Sequence, residues 1–303
     1  MPEPTIHPRA LPDDRPADVL HVRPGSDGAV RLDPTRAGWR YLAFSTRRIR
    51  GGTGLTFGSG PVETVVVVLS GRDVEVRGIG TLPGRASPFA ELPSAVYVPA
   101  GRRVRVRAKE DTELAIAFAP LSGRDGVAAD PILLTPDDIA VEIRGAGNAS
   151  RQINHIIAPS FPADRLEVVE VLTPSGNWSS WPPHKHDVDD MPGEAVLEEV
   201  YHYQFRRPEA WRIQRVYRAD RSRDGIWEVR DGDVVIVPDG YHPFSAAHGD
   251  DAYYLNALAG DRRTMACSFD PDLDWVRGTW EAMEPDPRLP LVGSVSAGAA
   301  ART

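Results

Sequence analysis

Short runs of β-branched and aromatic residues recur along most of this chain, and glycine or proline separates one run from the next. Runs of this length and composition favour β-strands, and their close spacing is typical of sandwiches and barrels. The run over residues 65–69 is continuously apolar, as expected for a strand that is covered on both faces. With 27 glycines and 28 prolines available for turns, the sequence predicts an all-β fold with few, short helices.

Two parts of the chain follow the same pattern, which predicts two β domains of one design. Residues 96–101 read Val-Tyr-Val-Pro-Ala-Gly, and residues 235–240 read Val-Ile-Val-Pro-Asp-Gly. A polar segment over residues 121–138 separates the two parts, and 303 residues are enough for two domains. We expect a flexible tail at 1–18, a first domain at 19–135, a second domain at 136–285 and a C-terminal tail at 286–303.

The composition argues against several classes of protein. The net charge of −8 and the scattered arginines argue against a nucleic-acid partner. No apolar run approaches the roughly 18 residues of a membrane span, and the polar, proline-rich start lacks the pattern of a secretory signal. A single cysteine, Cys267, rules out an internal disulfide. We therefore expect a cytoplasmic, globular protein.

A His-x-His pair, His184 and His186, follows a double proline in the second part of the chain. Residues two apart in a β-strand point to the same face, so both imidazoles can reach one point while Lys185 faces away. Imidazoles and carboxylates are common ligands of divalent metals, and catalytic sites typically combine three protein ligands with an open position. The pair therefore indicates a metal site, although two surface histidines near a turn would show the same spacing.

Two further residues complete a ligand set. His242 lies just after a Pro-x-Gly turn, which can return its ring to the cavity of the first pair. Glu198 and Glu199 compete for the carboxylate position, because on one strand they face opposite ways. We choose Glu199, which shares its face with the aromatic residues at 201, 203 and 205, although a β-bulge would reverse the choice. Zinc suits the resulting set, and so do manganese, iron and nickel.

Candidates for substrate binding and proton transfer are less specific. Arg215 offers a guanidinium fork that can hold a substrate carboxylate, but a surface ion pair would explain it almost as well. Tyr203 is a candidate for handling a proton, but packing is the more common role of a buried tyrosine. Strand alternation turns Lys185 and His202 away from the site, and His248 is expected in a solvent-exposed loop.

Longer strings of residues are more specific than the single candidates. One string covers residues 176–187 and reads Gly-Asn-Trp-Ser-Ser-Trp-Pro-Pro-His-Lys-His-Asp. It resembles the 5-deoxy-glucuronate isomerase family of inositol catabolism. A related family, the 4-deoxy-L-threo-5-hexosulose-uronate ketol-isomerases, is similar in architecture, but its spacing from His-x-His to the glutamate is shorter. Further strings that fit the inositol enzyme lie at residues 84–93, 197–201, 214–217, 238–243 and 253–260.

The resemblance implies a fold, a metal and a reaction. It implies a bicupin, which is a pair of cupin β domains, here with ligands only in the second. It also implies that a divalent metal is bound, zinc first, with manganese or iron as alternatives, by His184, His186, Glu199 and His242. The implied enzyme is an aldose–ketose isomerase that converts 5-deoxy-D-glucuronate to 2-deoxy-5-keto-D-gluconate in myo-inositol degradation. The acid–base group stays open between Tyr203, a glutamate and a metal-bound water. Apart from the resemblance, exposed sheet edges are compatible with a homo-oligomer.

Two other classes of function stay open at this point, besides the related uronate ketol-isomerase. A cupin dioxygenase would hold iron with the same ligands, and iron-dependent oxygen uptake would reveal it. A non-catalytic sugar-binding cupin would bind uronates without turnover. The sequence contains no DNA-binding helix pair and no basic segment that would support a transcriptional role. The strings around His184 and His242 favour the isomerase.

Overall fold

A computed structural model describes residues 20–58 and 60–294 of the chain. The expected N-terminal tail at residues 1–18, and residues 295–303 of the expected C-terminal tail, lie outside the described residues. Most of the regular structure is β-strand, so the predicted all-β class is confirmed. Within the described residues, no helix combines the length and the apolar character that crossing a membrane requires.

The first part of the chain forms antiparallel strands around one short helix. Its elements are β1 (His21–Val22), β2 (Arg31–Leu32), α1 (Pro34–Ala37), β3 (Ala43–Ile49), β4 (Gly54–Gly58), β5 (Val62–Val76), β6 (Gly80–Arg85), β7 (Ala95–Val98), β8 (Arg103–Arg107), β9 (Thr112–Pro120) and β10 (Ile132–Leu134). The order in the sheet is β10-β7-β5-β9-β3-β2, with β4, β6 and β8 attached through β5 and β8.

The second part of the chain forms the larger share of the sheet that carries the candidate site. Its elements are a 3-10 turn (Pro136–Asp138), β11 (Ala140–Arg144), β12 (Arg151–Ile157), β13 (Leu166–Thr173), β14 (Trp178–Ser179), β15 (His184–Lys185), β16 (Leu197–Phe205), β17 (Trp211–Tyr217), β18 (Asp224–Arg230), β19 (Val234–Val237), β20 (Phe244–Ser245), β21 (Ala252–Gly260), β22 (Ser268–Phe269), α2 (Trp275–Thr279) and a second 3-10 turn (Trp280–Ala282). The main sheet has the order β1-β19-β16-β21-β13-β12-β11. Two smaller sheets, β14-β20-β17-β18 and β15-β22, lie beside it.

The apolar run at residues 65–69 lies in the centre of β5 and is buried on both faces, as predicted. Alternate residues of this strand enter different cores. Val65, Val67 and Leu69 pack into a core that both parts of the chain share. Val66 and Val68 pack into a second core formed within the first part alone. Alternate side chains of this strand therefore pack on opposite faces, one set in the shared core and the other in the local core.

The predicted internal repeat corresponds to equivalent strands. Residues 96–101 begin in β7 and residues 235–240 begin in β19. Around them the first sheet has the order β7-β5-β9-β3 and the second has the order β19-β16-β21-β13. All of these neighbours are antiparallel. The two parts of the chain therefore share one strand arrangement.

The boundaries of the two parts differ from the expected ones at both ends. The first domain was expected to include residue 21, but β1 pairs with β19 and so belongs to the second sheet. Part of the expected C-terminal tail is packed, because Val292 is 5% exposed and its backbone N–H donates to the Gln152 side chain. The first segment is held by pairing with β19, and the second by the burial of Val292 and its hydrogen bond to Gln152. Both contacts join residues far apart in the chain, so local sequence pattern does not predict them.

Candidate metal centre

A cavity of about 430 Å³ is lined by residues of the second sheet. Residues of β12, β13, β16 and β21 form its floor, and the segment around His184 together with α2 forms its wall. A volume of this size is typical of small-molecule sites. Polar groups that line it include Arg144, Arg151, Ser180, His184, His186, Glu199, Tyr201, Tyr254, Asn256 and Arg277.

Three of the predicted ligands converge, and two of them, His186 and Glu199, line this cavity. The ligand atoms of His186, Glu199 and His242 all lie within 4.8 Å of one another, and all three residues are buried. Glu199 Oε2 lies 2.9 Å from His186 Nε2 and 3.3 Å from His242 Nε2. The carboxylate thus stands between the two imidazoles.

Backbone carbonyls orient both imidazoles. His186 Nδ1 lies 3.0 Å from the carbonyl oxygen of Leu197, and His242 Nδ1 lies 2.9 Å from that of Gly240. A neutral imidazole that donates from Nδ1 keeps a lone pair on Nε2. This arrangement, in which a carbonyl anchors Nδ1 and Nε2 points to a common site, is usual for metal-binding histidines.

The donor set fits a divalent metal ion. In the described part of the chain, His242 Nε2 is buried without a hydrogen-bond partner. Burial lowers the pKa of His242 to about 4, so the ring stays neutral at neutral pH. A lone pair and a carboxylate oxygen that face each other repel unless a cation or a proton lies between them. Two imidazoles and a carboxylate are ligands that zinc, manganese and iron accept.

The fourth predicted ligand, His184, lies next to this group rather than within it. Its ring centroid is 4.6 Å from that of His242 and 6.3 Å from that of His186, and it lines the same cavity. Burial, His242 and His186 hold its pKa well below the ordinary value. Lys185 points away, as alternation predicts, and its Nζ lies 2.9 Å from both carboxylate oxygens of Glu194.

The choice between Glu198 and Glu199 depends on an uninterrupted strand. The register of β16 against β21 runs without a break from Leu197 to Phe205, so no bulge reverses the alternation. Glu199 faces the cavity. Glu198 faces the first part of the chain, where its carboxylate accepts hydrogen bonds from the backbone amides of residues 40–42.

The Pro-x-Gly turn before His242 depends on its glycine. Gly240 has a φ of +83°, and a Cβ there would lie 2.4 Å from the carbonyl oxygen of Tyr217. Its backbone N–H also donates to Asp187 Oδ2 at 2.7 Å. A glycine is therefore required for the close approach of the two chains. The turn joins the segment after His186 to the segment before His242, which brings the two ligands together.

The predicted catalytic residues Tyr203 and Arg215 lie outside the residues that line the cavity. The Tyr203 hydroxyl donates to Gln214 Oε1 at 2.8 Å, and Gln214 Nε2 donates to the carbonyl of His242 at 2.8 Å. Tyr203 thus supports the backbone of a ligand. Arg215 forms a two-pronged ion pair with Asp224, with Nε 2.8 Å and Nη2 2.6 Å from the two carboxylate oxygens.

Tyr201, which the sequence places on the same strand face as Glu199, lines the cavity. Sequence reasoning did not single it out as a functional residue, because packing explains an aromatic residue on an inward face equally well. Its hydroxyl is 2.9 Å from Ser180 Oγ, and its ring centroid is 5.8 Å from that of His242. Burial raises the pKa of Tyr201 well above the ordinary value, so its phenol stays protonated at neutral pH.

Three other histidines of the described residues lie outside the group of His186, Glu199 and His242. His202 packs against Phe44, with ring centroids 5.7 Å apart. His248 is exposed, as expected, and His155 Nε2 is 2.8 Å from Glu142 Oε2. His202 was predicted to face away from the ligands, and its contact with Phe44 places it on the side of the first part of the chain.

Comparison with known proteins gives consistent matches over most of the chain. The KduI/IolB family profile matches residues 20–276. A 5-deoxy-glucuronate isomerase of Geobacillus kaustophilus (strain HTA426) is 42% identical over 258 residues, which is 84% of this chain and 92% of that protein. One from Lacticaseibacillus casei is 39% identical over 223 residues, which is 71% of this chain and 79% of that protein.

Solved structures agree with these sequence matches. The crystal structure of an IolB-like protein from Salmonella typhimurium LT2 superposes with a TM-score of 0.79 at 35% identity, covering 85% of this chain and 98% of that one. The oxalate decarboxylase of Lactobacillus farciminis superposes with a TM-score of 0.55 at 12% identity, covering 80% and 83%. The second likeness concerns the fold alone, and the predicted all-β cupin fold is confirmed.

Proposed function

The chain belongs to the KduI/IolB family, and on that premise we propose that it is an aldose–ketose isomerase acting on 5-deoxy-D-glucuronate. The product is 2-deoxy-5-keto-D-gluconate, and the reaction belongs to myo-inositol degradation in the cytoplasm. One observation carries the proposal. His186 and Glu199 converge with His242 and line a cavity of small-molecule size, in a chain that is 42% identical to a named 5-deoxy-glucuronate isomerase.

We assign the metal site to His186, Glu199 and His242, with His184 as the fourth ligand from the adjoining wall. The buried Nε2 of His242, which has no hydrogen-bond partner among the described residues, supports this assignment. Zinc is the first choice, with manganese or iron as alternatives. When bound, a divalent cation polarises a carbonyl and stabilises negative charge that develops on oxygen during a proton shift between adjacent carbons.

The chain's own groups handle the proton. Tyr201 and Ser180 share a hydrogen bond of 2.9 Å between their hydroxyls, and both line the cavity. The Tyr201 phenol holds its proton at neutral pH and can donate it to a substrate oxygen. Tyr203 serves as a positioning residue, since it holds Gln214 and through it the backbone of His242.

Part of the cavity lining is apolar. Apolar side chains of Val169, Val171 and Leu258 lie on its floor beside Asn256. Such a surface limits the water that reaches the reacting carbons and strengthens the electrostatic interactions of the polar groups. The partner is thus a small deoxy-uronate rather than a nucleic acid or a membrane. Unpaired edges such as that of β11 are compatible with a homo-oligomer.

The test is NMR of the purified protein with 5-deoxy-D-glucuronate in D₂O, before and after treatment with a chelator. We expect conversion to the keto acid, loss of conversion on chelation, and recovery when a divalent metal is added. Deuterium in the product would show that the proton exchanges with solvent during the shift. No conversion by the fully metal-loaded protein would refute the proposed reaction.

A further inference from the structure

The cavity is lined by positively charged side chains that are not among the predicted metal ligands. Arg144, Arg151 and Arg277 all line it, whereas Glu199 is the only acid among the described residues that do so. A carboxylate substrate would be attracted into such a cavity. Which arginine binds the carboxylate depends on which guanidinium is free.

Two of the three arginines already have acidic partners. Arg144 forms a two-pronged pair with Glu142, with Nε 2.7 Å from Oε1 and Nη2 2.9 Å from Oε2. Arg277 lies 3.7 Å from Asp274 and stacks over the ring of Phe269 at 4.3 Å. Its side chain is 40% exposed, so water screens its charge.

Arg151 differs from both. It is 6% exposed, and Nη1 contacts two backbone carbonyls, that of Ala149 at 3.2 Å and that of Trp181 at 3.3 Å. In the described part of the chain no carboxylate pairs with Arg151, and its Nε and Nη2 donate to no protein acceptor. A buried guanidinium without a counter-ion is costly, and such groups cluster at functional sites.

The position of Arg151 suits the far end of a chain-like substrate. Arg151 is on β12 and Glu199 is on β16. Both side chains line the same cavity of about 430 Å³, so one small molecule can contact both. The open-chain form of 5-deoxy-glucuronate has its aldehyde at C1 and its carboxylate at C6. One end can therefore lie at the ligand group while the other reaches Arg151.

We propose that Arg151 binds the C6 carboxylate of the substrate through its free guanidinium edge and thereby selects a uronate over the corresponding neutral sugar. The inference rests on the proposed function for the identity of the substrate. A planar guanidinium fork matches a carboxylate in two parallel hydrogen bonds, which an ammonium group does not reproduce. Arg215, which the sequence suggested for this role, lies outside the cavity lining and is bound to Asp224.

The experiment compares two substrates and two ligands that differ only at C6. The substrates are 5-deoxy-D-glucuronate and its neutral analogue 5-deoxy-D-glucose. The ligands are L-gulonate and D-glucitol, which lack the aldehyde and report binding alone by calorimetry. We expect Arg151→Gln to reduce the preference for the uronate in kcat/KM by about 100-fold and to weaken L-gulonate binding by a similar factor.

Matched variants separate anchoring from structural support. Arg151→Lys keeps the charge without the fork, so we expect an intermediate loss of preference. Arg215→Gln, which removes a surface-paired arginine, is expected to keep the full preference. Metal content and the thermal unfolding midpoint are measured for every variant. Should Arg151→Gln not fold, the lysine variant provides the same comparison.

The outcomes distinguish this inference from the proposed function. If the wild type converts the uronate but Arg151→Gln retains the wild-type preference, the inference is wrong and the function stands. An equal fall in activity on both substrates, with loss of metal, would mean that Arg151 only holds the Trp181 carbonyl, and it would also overturn the inference. If the metal-loaded wild type converts nothing, the proposed function fails, while weaker L-gulonate binding by Arg151→Gln would still support a carboxylate anchor.

Discussion

Glu63 and Glu198 occupy equivalent positions in the two parts of the chain, and each binds the backbone of the opposite part. Glu198 accepts hydrogen bonds from the amides of residues 40–42 at 2.7–2.9 Å. Glu63 accepts hydrogen bonds from the amides of residues 164–166 at 2.6–2.7 Å. Both glutamates are buried. The two parts are thus held together by a reciprocal pair of carboxylates.

Strand register establishes the equivalence. Val65 pairs with Ala117, and Val200 pairs with Ala257. The alanines in turn pair with Phe44 and Val168. Counting two residues back from these positions gives Glu63 and Glu198 on one side, and Leu42 and Leu166 on the other. By the same equivalence, Thr64 corresponds to Glu199. Thr64 pairs with Val98, and Glu199 pairs with Val237. The first part therefore carries a threonine where the second carries the proposed metal ligand Glu199.

Replacing Glu198 and its neighbour should separate stability from metal binding. We expect Glu198→Gln to lower the free energy of unfolding by about 2–4 kcal/mol, because an amide cannot accept all three backbone hydrogen bonds. Metal content should stay unchanged. Glu199→Gln should have the opposite pattern, with loss of metal and activity. Urea unfolding and metal analysis of the two variants measure both effects; loss of metal from Glu198→Gln would contradict the assignment of faces.

The tyrosines on β16 should also differ in effect. Tyr201→Phe removes a hydroxyl from the cavity, so we expect kcat to fall by about 10²–10⁴-fold with metal retained. Tyr203→Phe removes only the support of Gln214, and kcat should fall by less than about tenfold. Steady-state rates on 5-deoxy-D-glucuronate, normalised to bound metal, make the comparison. A larger effect at Tyr203 than at Tyr201 would reverse the assigned roles.

Glu167 should make stability depend on pH. It is fully buried, and among the described residues neither carboxylate oxygen has a hydrogen-bond partner. Burial raises its pKa from 4.5 to about 7, although Arg263 and His186 oppose the shift. The folded state therefore holds a proton that the unfolded state releases, and stability falls as pH rises from about 4.5 to about 7.

Removing this carboxyl should abolish the penalty. We expect Glu167→Gln to match the wild type near pH 4.5 and to exceed its stability above pH 7 by an amount on the order of 3 kcal/mol. Urea unfolding at several pH values measures the difference, with the exposed Glu281→Gln as the control. A difference that does not change with pH would show that Glu167 has an unshifted pKa.

Thr64 offers a test of the position in the first part that corresponds to Glu199. Its hydroxyl is buried and, within the described residues, unpartnered. Thr64→Val keeps the shape of the side chain and removes an unsatisfied polar group, so we expect about 1 kcal/mol of added stability. Thermal or urea unfolding provides the measurement. A clear loss of stability would mean that the hydroxyl has a partner, such as an internal water.

Some features of the site follow from the sequence because they depend on local geometry. Side chains of adjacent residues on a strand point to opposite faces. This local rule separates Glu199 from Glu198 and turns Lys185 away from His184. The Pro-x-Gly turn likewise predicts where His242 returns, since its glycine adopts a φ of +83°. The longer strings of residues then indicate the family, and the family resemblance suggests the reaction.

The tertiary structure decided which groups face one another across the cavity. Arg151 and Arg215 look alike in sequence, yet one lines the cavity without an acidic partner and the other pairs with Asp224. Tyr201 and Tyr203 share a strand face, but only Tyr201 reaches the cavity. These distinctions depend on which distant strands pair and how the sheet curves. Long-range pairing is set by the burial of whole faces, so no local pattern encodes it.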